Sequence, residues 1–390
     1  MTRARSLAAG VTLTACAVVA AACGSSSKSS TASGGSTTTG GGASTTAASS
    51  TSGPWGWPGN ATEGYLAPHQ PDVNRDGKVV IAVISPGDTH DHGYYESFVD
   101  EANSFAKENG WQVITVDKVP DSQAAQAARN ACQQHPDMVA IAASELKDAI
   151  PVASEAVCKG TVWYVAGGQG VTQTAYFVQT NDIISQDGYA SGVAAGLLMK
   201  ESGATKAGFL TGPQASFTTD FAKAWEAGIK AEVPNEQTVS TYTGDFNDSA
   251  KAVEGFQAMK SQGVGIVYPY LGGATFAVAN QANQANIPVL TPGTDNCSVP
   301  SPKFAISVIF SPGDYFAAAL TPFKNGTLRV GTTLTFHMGV DPVPTVKICS
   351  PTGNHAQVLS QTIHDIGTGK IRPDQITGLN DYNGYTPSGG

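Results

Sequence analysis

The segment Pro86 to Phe98 reads Pro-Gly-Asp-Thr-His-Asp-His-Gly-Tyr-Tyr-Glu-Ser-Phe, concentrating imidazole, carboxylate and phenol groups beside glycine. Two chemistries suit such a run. His90, Asp91 and His92 could ligate a metal in an extracellular enzyme, or the same groups could hydrogen-bond and stack on an organic molecule. Alternate residues of one short loop converge poorly on a single ion without a further ligand, which favours the second chemistry. Asp72-Val73-Asn74-Arg75-Asp76-Gly77 matches the first six positions of a calcium loop, but the twelfth is Val83, inside an apolar run, so a turn is expected there.

Comparable clusters recur along the chain: Ser144-Glu145, Gly167-Gly168-Gln169, Gly212-Pro213-Gln214, Tyr270-Leu271-Gly272-Gly273 and Gly293-Thr294-Asp295-Asn296. Glycine lets backbone amides approach a ligand, carboxylates and amides exchange hydrogen bonds, and aromatic rings stack on flat faces. The expected contact residues are Asp91, Tyr94, Tyr95, Glu145, Asp182, Gln214, Phe217, Tyr270, Gly272, Gly273 and Asp295. Together they suit a polar, uncharged, ring-bearing small molecule. No GxxxxGK[ST] or GxSxG string accompanies them, because Gly188-Tyr189-Ala190-Ser191-Gly192 falls within a helical pattern. The chain is therefore expected to be no enzyme and to carry no cofactor.

The elements that must position these residues are regular. From Lys78 onward, β-branched runs alternate with amphipathic segments, as in KVVIAVIS, WQVITVD, MVAIAAS, TVWYVAGG, KAGFLTG, TVSTYTG, GIVYPYL and IPVLTPGT. Alternation of this kind predicts an α/β fold with parallel sheets, and so many units predict two doubly wound, Rossmann-like lobes. Each cluster above follows one of the runs, at the carboxyl end of a strand where open parallel sheets place their ligands. Gly188, Gly192 and Gly196 share one face of a helix, which predicts close approach to a sheet. Ser311-Pro312-Gly313-Asp314 predicts a helix from Pro312 to about Lys324.

The amino terminus reads as an address. Arg3 and Arg5 precede an apolar stretch, Ser6 to Ala22, that ends in Ala20-Ala21-Ala22-Cys23-Gly24, the pattern of a lipoprotein signal peptide (1–22) with a lipid-accepting Cys23; a plain secretory signal is the alternative. Residues 24–53 are almost wholly Ser, Thr, Gly and Ala, and a flexible tether is expected over 23–75, its low-complexity part reaching roughly 30 Å. Without 1–22 the chain has 20 basic against 31 acidic residues, which excludes a nucleic-acid partner held by a basic surface. With Cys16 removed and Cys23 taking the lipid, four of the six cysteines remain, expected to pair as Cys132–Cys158 and Cys297–Cys349, with four free thiols as the alternative.

Three stretches resemble the basic membrane protein family of substrate-binding lipoproteins: Asp91-His92-Gly93-Tyr94-Tyr95-Glu96-Ser97-Phe98, then Gln186 to Gly196, then Lys206 to Gly212 with the following Phe221 to Gly228 and Pro234. The likeness extends over most of 78–373. It departs from the family pattern at Tyr95, where Asn is usual, and at Ser307-Val308-Ile309-Phe310, where Thr-Ser-x-x-Lys is usual, while Asp295 matches the family's acidic residue.

The resemblance implies a type I periplasmic-binding fold with a three-crossover hinge, lobe 1 formed by 76–181 and 303–330 and lobe 2 by 182–302 and 331–380. It implies a monomer, lipid-anchored on the extracytoplasmic face of the cell membrane, that passes a nucleoside-like ligand to an ABC permease. Aromatic residues would stack on the base, Asp91 would bond its edge and Asp295 would bind sugar hydroxyls. A sugar or other cyclic metabolite, or delivery to a membrane sensor, are alternatives within the same fold.

Overall fold

The computed structural model describes residues 52–167 and 170–387; the expected signal peptide, the expected lipid-accepting Cys23 and the expected tether up to residue 51 lie outside them. Residues 54–75, expected to belong to the tether, form ordered structure instead. After a turn at Pro54–Gly56, β1 (Gly59–Asn60) and β2 (Gly64–Leu66) form a small antiparallel hairpin. Trp57, Tyr65, Ala67 and Val73 are buried in the core of the first lobe. These large side chains, absent from the Ser/Thr/Gly tract before them, give the segment enough apolar area to offset its ordering.

The first lobe is built from β3 (Val80–Ile84), α1 (Tyr94–Asn109), β4 (Gln112–Val116), α2 (Ala124–Cys132), β5 (Met138–Ile141), β6 (Val162–Val165) and β7 (Val178–Asn181). All five residues of β3 and all four of β5 and β6 are buried, as central strands covered on both faces require. The segment after β5 forms two 3₁₀ segments, Ser144–Ser154 and Ala156–Cys158, and not an α-helix, with Pro151 inside the first, where it removes a backbone donor.

The chain then passes into the second lobe as α3 (Ile184–Ser202), β8 (Lys206–Thr211), α4 (Ser216–Glu232), β9 (Gln237–Tyr242), α5 (Ser249–Ser261), β10 (Ile266–Tyr270), α6 (Thr275–Gln284) and β11 (Leu290–Gly293). It continues as β12 (Ile306–Ile309), α7 (Pro312–Lys324), β13 (Arg329–Val330), β14 (Thr333–Thr335), β15 (Thr345–Ile348), α8 (His355–Gly367) and α9 (Pro373–Thr377).

Strand pairing sets the crossings between lobes. The first sheet is parallel throughout, in the order β14-β7-β6-β5-β3-β4. The second runs β9-β8-β10, continues through the Val267–Val289 bridge to β11-β12, and ends in antiparallel β15. The expected bounds at 303 and 331 therefore shift. Ile306–Ile309 lies in the second sheet, so the return to lobe 1 falls at Phe310–Ser311, where Ser311 caps α7 through its hydroxyl. Phe316 of α7 stacks on Phe98 of α1 with 4.5 Å between ring centres. The last departure falls after Thr335, because β14 still pairs with β7.

The glycine face of α3 meets a helix rather than the expected sheet. A β-carbon at Gly192 would lie 2.1 Å from the Trp225 carbonyl oxygen of α4, and one at Gly188 2.5 Å from Ala224. Cys132–Cys158 ties α2 to the following 3₁₀ turn, and Cys297–Cys349 ties the loop after β11 to the end of β15. Among the described residues no helix is long and apolar enough to cross a membrane.

Candidate functional site

Carboxyl ends of strands from both sheets converge on one cavity of about 100 Å³, within a cleft of about 690 Å³ that is open to solvent. Lobe 1 contributes Tyr94 and Tyr95 from the start of α1, Ser144 and Glu145 after β5, and Gly167 after β6. Lobe 2 contributes Phe217 from α4, Phe246 after β9, Tyr270, Leu271 and Gly272 at the end of β10, and Pro292 of β11. The crossing segments supply Asp182, Ile184 and Phe310.

Aromatic rings dominate. Phe217 and Phe246 stack 6.0 Å apart at 24°, while Tyr270 lies 6.0 Å from Phe310, which lies 6.2 Å from Tyr94. Gly272 lets the lobes approach closely beside the cavity, since a β-carbon there would sit 2.9 Å from the Tyr95 ring.

The polar groups are few and carry no positive charge. The Tyr95 hydroxyl donates to Glu145 Oε1 at 2.8 Å, and the Tyr315 hydroxyl donates to Asp182 Oδ2 at 3.4 Å. Burial raises the Glu145 carboxyl above its usual range against the opposing bond from Tyr95. Burial, reinforced by the Glu145 and Asp182 carboxylates, holds the Tyr94 phenol well above its ordinary value, and burial with Asp182 and Asp187 does the same for Tyr270. Both phenols stay protonated, and neither hydroxyl has a hydrogen-bond partner among the described residues.

Seven of the expected contact residues line the cavity: Tyr94, Tyr95, Glu145, Asp182, Phe217, Tyr270 and Gly272. Four lie outside its lining. Asp91 instead serves the start of α1, accepting from the amides of Gly93 at 2.9 Å, Glu96 at 3.0 Å and Tyr95 at 3.3 Å. Its role is to place the two tyrosines. Asp295 pairs with Lys347 at 2.9 Å and accepts from the Cys297 amide, and although burial raises its carboxyl, these partners bring it below the usual range. Gln214 is exposed, and the Gly273 amide donates to Asn247 Oδ1. Gly168 and Gln169 lie outside the described residues.

Phe246, Ile184, Pro292 and Phe310 were not expected at the site. Phe246 and Phe310 each follow a strand, the position that pointed to the others. His90, Asp91 and His92 do not converge: His90 lies against Asp88, His92 against Glu96, and Asp91 caps α1. The acidic residues of the calcium-like turn accept from amides within it, Asp72 from Asp76 and Gly77, and Asp76 from Lys78.

Two α/β lobes joined by three crossing segments, with a cavity at their facing strand ends, define the type I periplasmic-binding fold. The sequence model of the family of PnrA-like ABC transporter substrate-binding proteins matches residues 78–347, well over half of the chain, which belongs to that family. The chain is 32% identical over 102 residues to the ABC transporter nucleoside-binding protein BmpA of Lactococcus lactis subsp. cremoris; the match spans 26% of this chain and 28% of that relative's length. A solute-binding protein of an ABC transporter system from Conexibacter woesei superposes with a TM-score of 0.56 at 20% identity, over 75% of this chain and 98% of that one. Another from Aeropyrum pernix gives 0.59 at 15% identity, over 80% and 88%. At such identities the structural likeness speaks to the fold.

Proposed function

We propose that this protein is the extracytoplasmic, Cys23-anchored receptor of an ABC importer and that it captures a neutral nucleoside-like molecule between its lobes. The observation that carries the reading is the cavity lining, in which aromatic rings meet two carboxyl groups and no lysine, arginine or histidine. Stacked rings recognise a flat base, and phenols and carboxyls recognise hydroxyl and ring-nitrogen groups. A phosphate on the same molecule would meet only negative charge, so nucleotides are rejected. The similarity to the nucleoside-binding protein of Lactococcus supports the same ligand class.

Function would be capture and release by hinge closure, with no bond made or broken in the ligand. Isothermal calorimetry with purine and pyrimidine nucleosides, free bases, free pentoses and nucleoside monophosphates tests it. Binding of nucleosides with monophosphates at least tenfold weaker is expected; preference for pentoses or monophosphates over nucleosides would overturn it. Radiolabelled palmitate incorporation that disappears with Cys23→Ala tests the anchor.

A further inference from the structure

Residues 378–387, which follow α9, run as a strap against the place where two of the three crossings enter lobe 2. α3 begins there with Ile183 at its cap position, and that side chain makes no capping hydrogen bond. The free amides of its first turn need an acceptor from elsewhere. The strap supplies one from 196 residues away: Asp381 Oδ2 accepts from the Ser185 amide at 2.9 Å, and Oδ1 accepts from the Ser185 hydroxyl at 2.7 Å.

Asp381 sits on a fixed mount. Beside it Tyr382 is only 4% exposed and lies under the Arg372 guanidinium, 4.7 Å from its ring centre, and Arg372 in turn donates to both carboxyl oxygens of Asp374 at 2.9 and 2.7 Å. Further along, the Tyr385 ring stacks on His337 with 3.5 Å between ring centres and 11° between planes. His337 follows β14 in the third crossing, and the next amide, that of Met338, donates to Gln186 Oε1 of α3 at 2.9 Å. The strap therefore holds the start of α3 directly through Asp381, and the crossing beside it through Tyr385.

The first turn of α3 matters to the cavity. Ile184 precedes Ser185 and lines the cavity wall, as does Asp182 three residues before Ser185, whereas Asp381 lies outside the lining. A helix end without a cap frays, and fraying here would displace both wall residues. We propose that Asp381 is a positioning residue for ligand recognition: carried by the strap, it caps α3 from a distant part of the chain and so fixes Asp182 and Ile184 in the cavity wall. The proposal rests on the reading of the cavity as a nucleoside site.

The test uses purified full-length protein, inosine and adenosine as probes, and two variants. Asp381→Asn keeps an oxygen that accepts from the Ser185 amide, and Asp381→Ala removes it. Loss of a cap to alanine shifts the first turn roughly fivefold toward its frayed form, and affinity falls with the binding-competent fraction. Calorimetry well below the melting transition of each protein should therefore show Asp381→Ala binding about fivefold more weakly, and Asp381→Asn within about twofold of wild type.

A ligand-independent measurement accompanies these. Hydrogen exchange read by mass spectrometry in peptides covering 183–189, without ligand, should be faster in Asp381→Ala and close to wild type in Asp381→Asn. Unchanged exchange in Asp381→Ala, or wild-type affinity for both probes in that variant, overturns the proposal, as does an asparagine variant as weak as the alanine one. Faster exchange in Asp381→Ala with neither probe bound by the wild-type protein overturns the nucleoside reading, and the ligand role of Asp381 with it, while leaving the cap demonstrated.

Discussion

The two lobes face each other across the cavity with different chemistry. Lobe 1 presents two phenols, a hydroxyl and a carboxyl through Tyr94, Tyr95, Ser144 and Glu145, whereas lobe 2 presents mainly rings and aliphatic surface through Phe217, Phe246, Tyr270 and Pro292, with the Tyr270 hydroxyl its one side-chain polar group. Asp182 and Phe310 sit on the crossings between them. An apolar wall gains from contact with one flat face whatever the position of the other lobe, but hydrogen bonds need both partners aligned. In the proposed function, lobe 2 supplies stacking affinity, and lobe 1 with the crossings supplies selection that is complete only when the lobes close.

The sharpest way to break this division is at the crossing. In the proposed function, Asp182→Ala removes a carboxyl acceptor from the cavity wall. A lost hydrogen bond to a charged group should weaken nucleoside binding roughly 10- to 100-fold, read by calorimetry. Wild-type affinity in this variant would mean that the crossing takes no part in selection.

Next in size is the stacking wall. Tyr270→Leu should weaken binding of every nucleoside roughly 30-fold, at the centre of the range for losing one base–aromatic stack, while leaving the preference between bases nearly unchanged. Tyr270→Phe keeps the ring and should stay within a few-fold of wild type. A Leu variant that changed base preference more than affinity would assign lobe 2 the selective role.

Glu145→Gln probes the polar wall more gently. The amide oxygen still accepts from Tyr95, so affinity should change by a few-fold at most. The pH dependence carries more information. Burial raises the Glu145 carboxyl, so the folded protein holds that proton more tightly than the unfolded chain, and wild-type stability falls as pH rises above the ordinary glutamate value of about 4.3. Glutamine has no proton to lose, so the melting temperature of the variant should rise relative to wild type as pH increases across that window. A difference that stays flat with pH would place Glu145 in contact with water.

How much of this was legible in the sequence differs between the lobes' frame and their surfaces. Strand ends were visible because β-branched runs such as KVVIAVIS and GIVYPYL stop at glycine, proline or polar residues, and the rule that ligands gather there located Tyr94, Tyr95, Glu145 and Tyr270. Phe246 and Phe310 obey the same rule and were within its reach. What a side chain bonds once folded was not legible. Asp91 lies within five residues of three free helix amides, a local demand that outcompetes a ligand. The crossing at Phe310 was misplaced because a four-residue strand, Ile306–Ile309, reads the same in either sheet, and only its pairing with β11 and β15 decides.

Asp295 gives the smallest expected effect and the cleanest contrast. The family resemblance implies that it binds sugar hydroxyls, but it lies outside the cavity lining, paired with Lys347 at 2.9 Å, the two side chains 42% and 53% exposed. An exposed pair of this kind is screened by water and contributes little. Because Lys347 and the Cys297 amide bring its carboxyl below the usual range against the effect of burial, any stability it adds is present above the ordinary aspartate value and lost as pH falls through the folded one. Asp295→Asn should therefore leave nucleoside affinity unchanged and lower stability by at most about 0.5 kcal/mol at neutral pH, the difference vanishing in acid. A tenfold loss of affinity would bring Asp295 into the site, and lobe 2 would then hold a selective carboxylate of its own, ending the division between a stacking lobe and a hydrogen-bonding one.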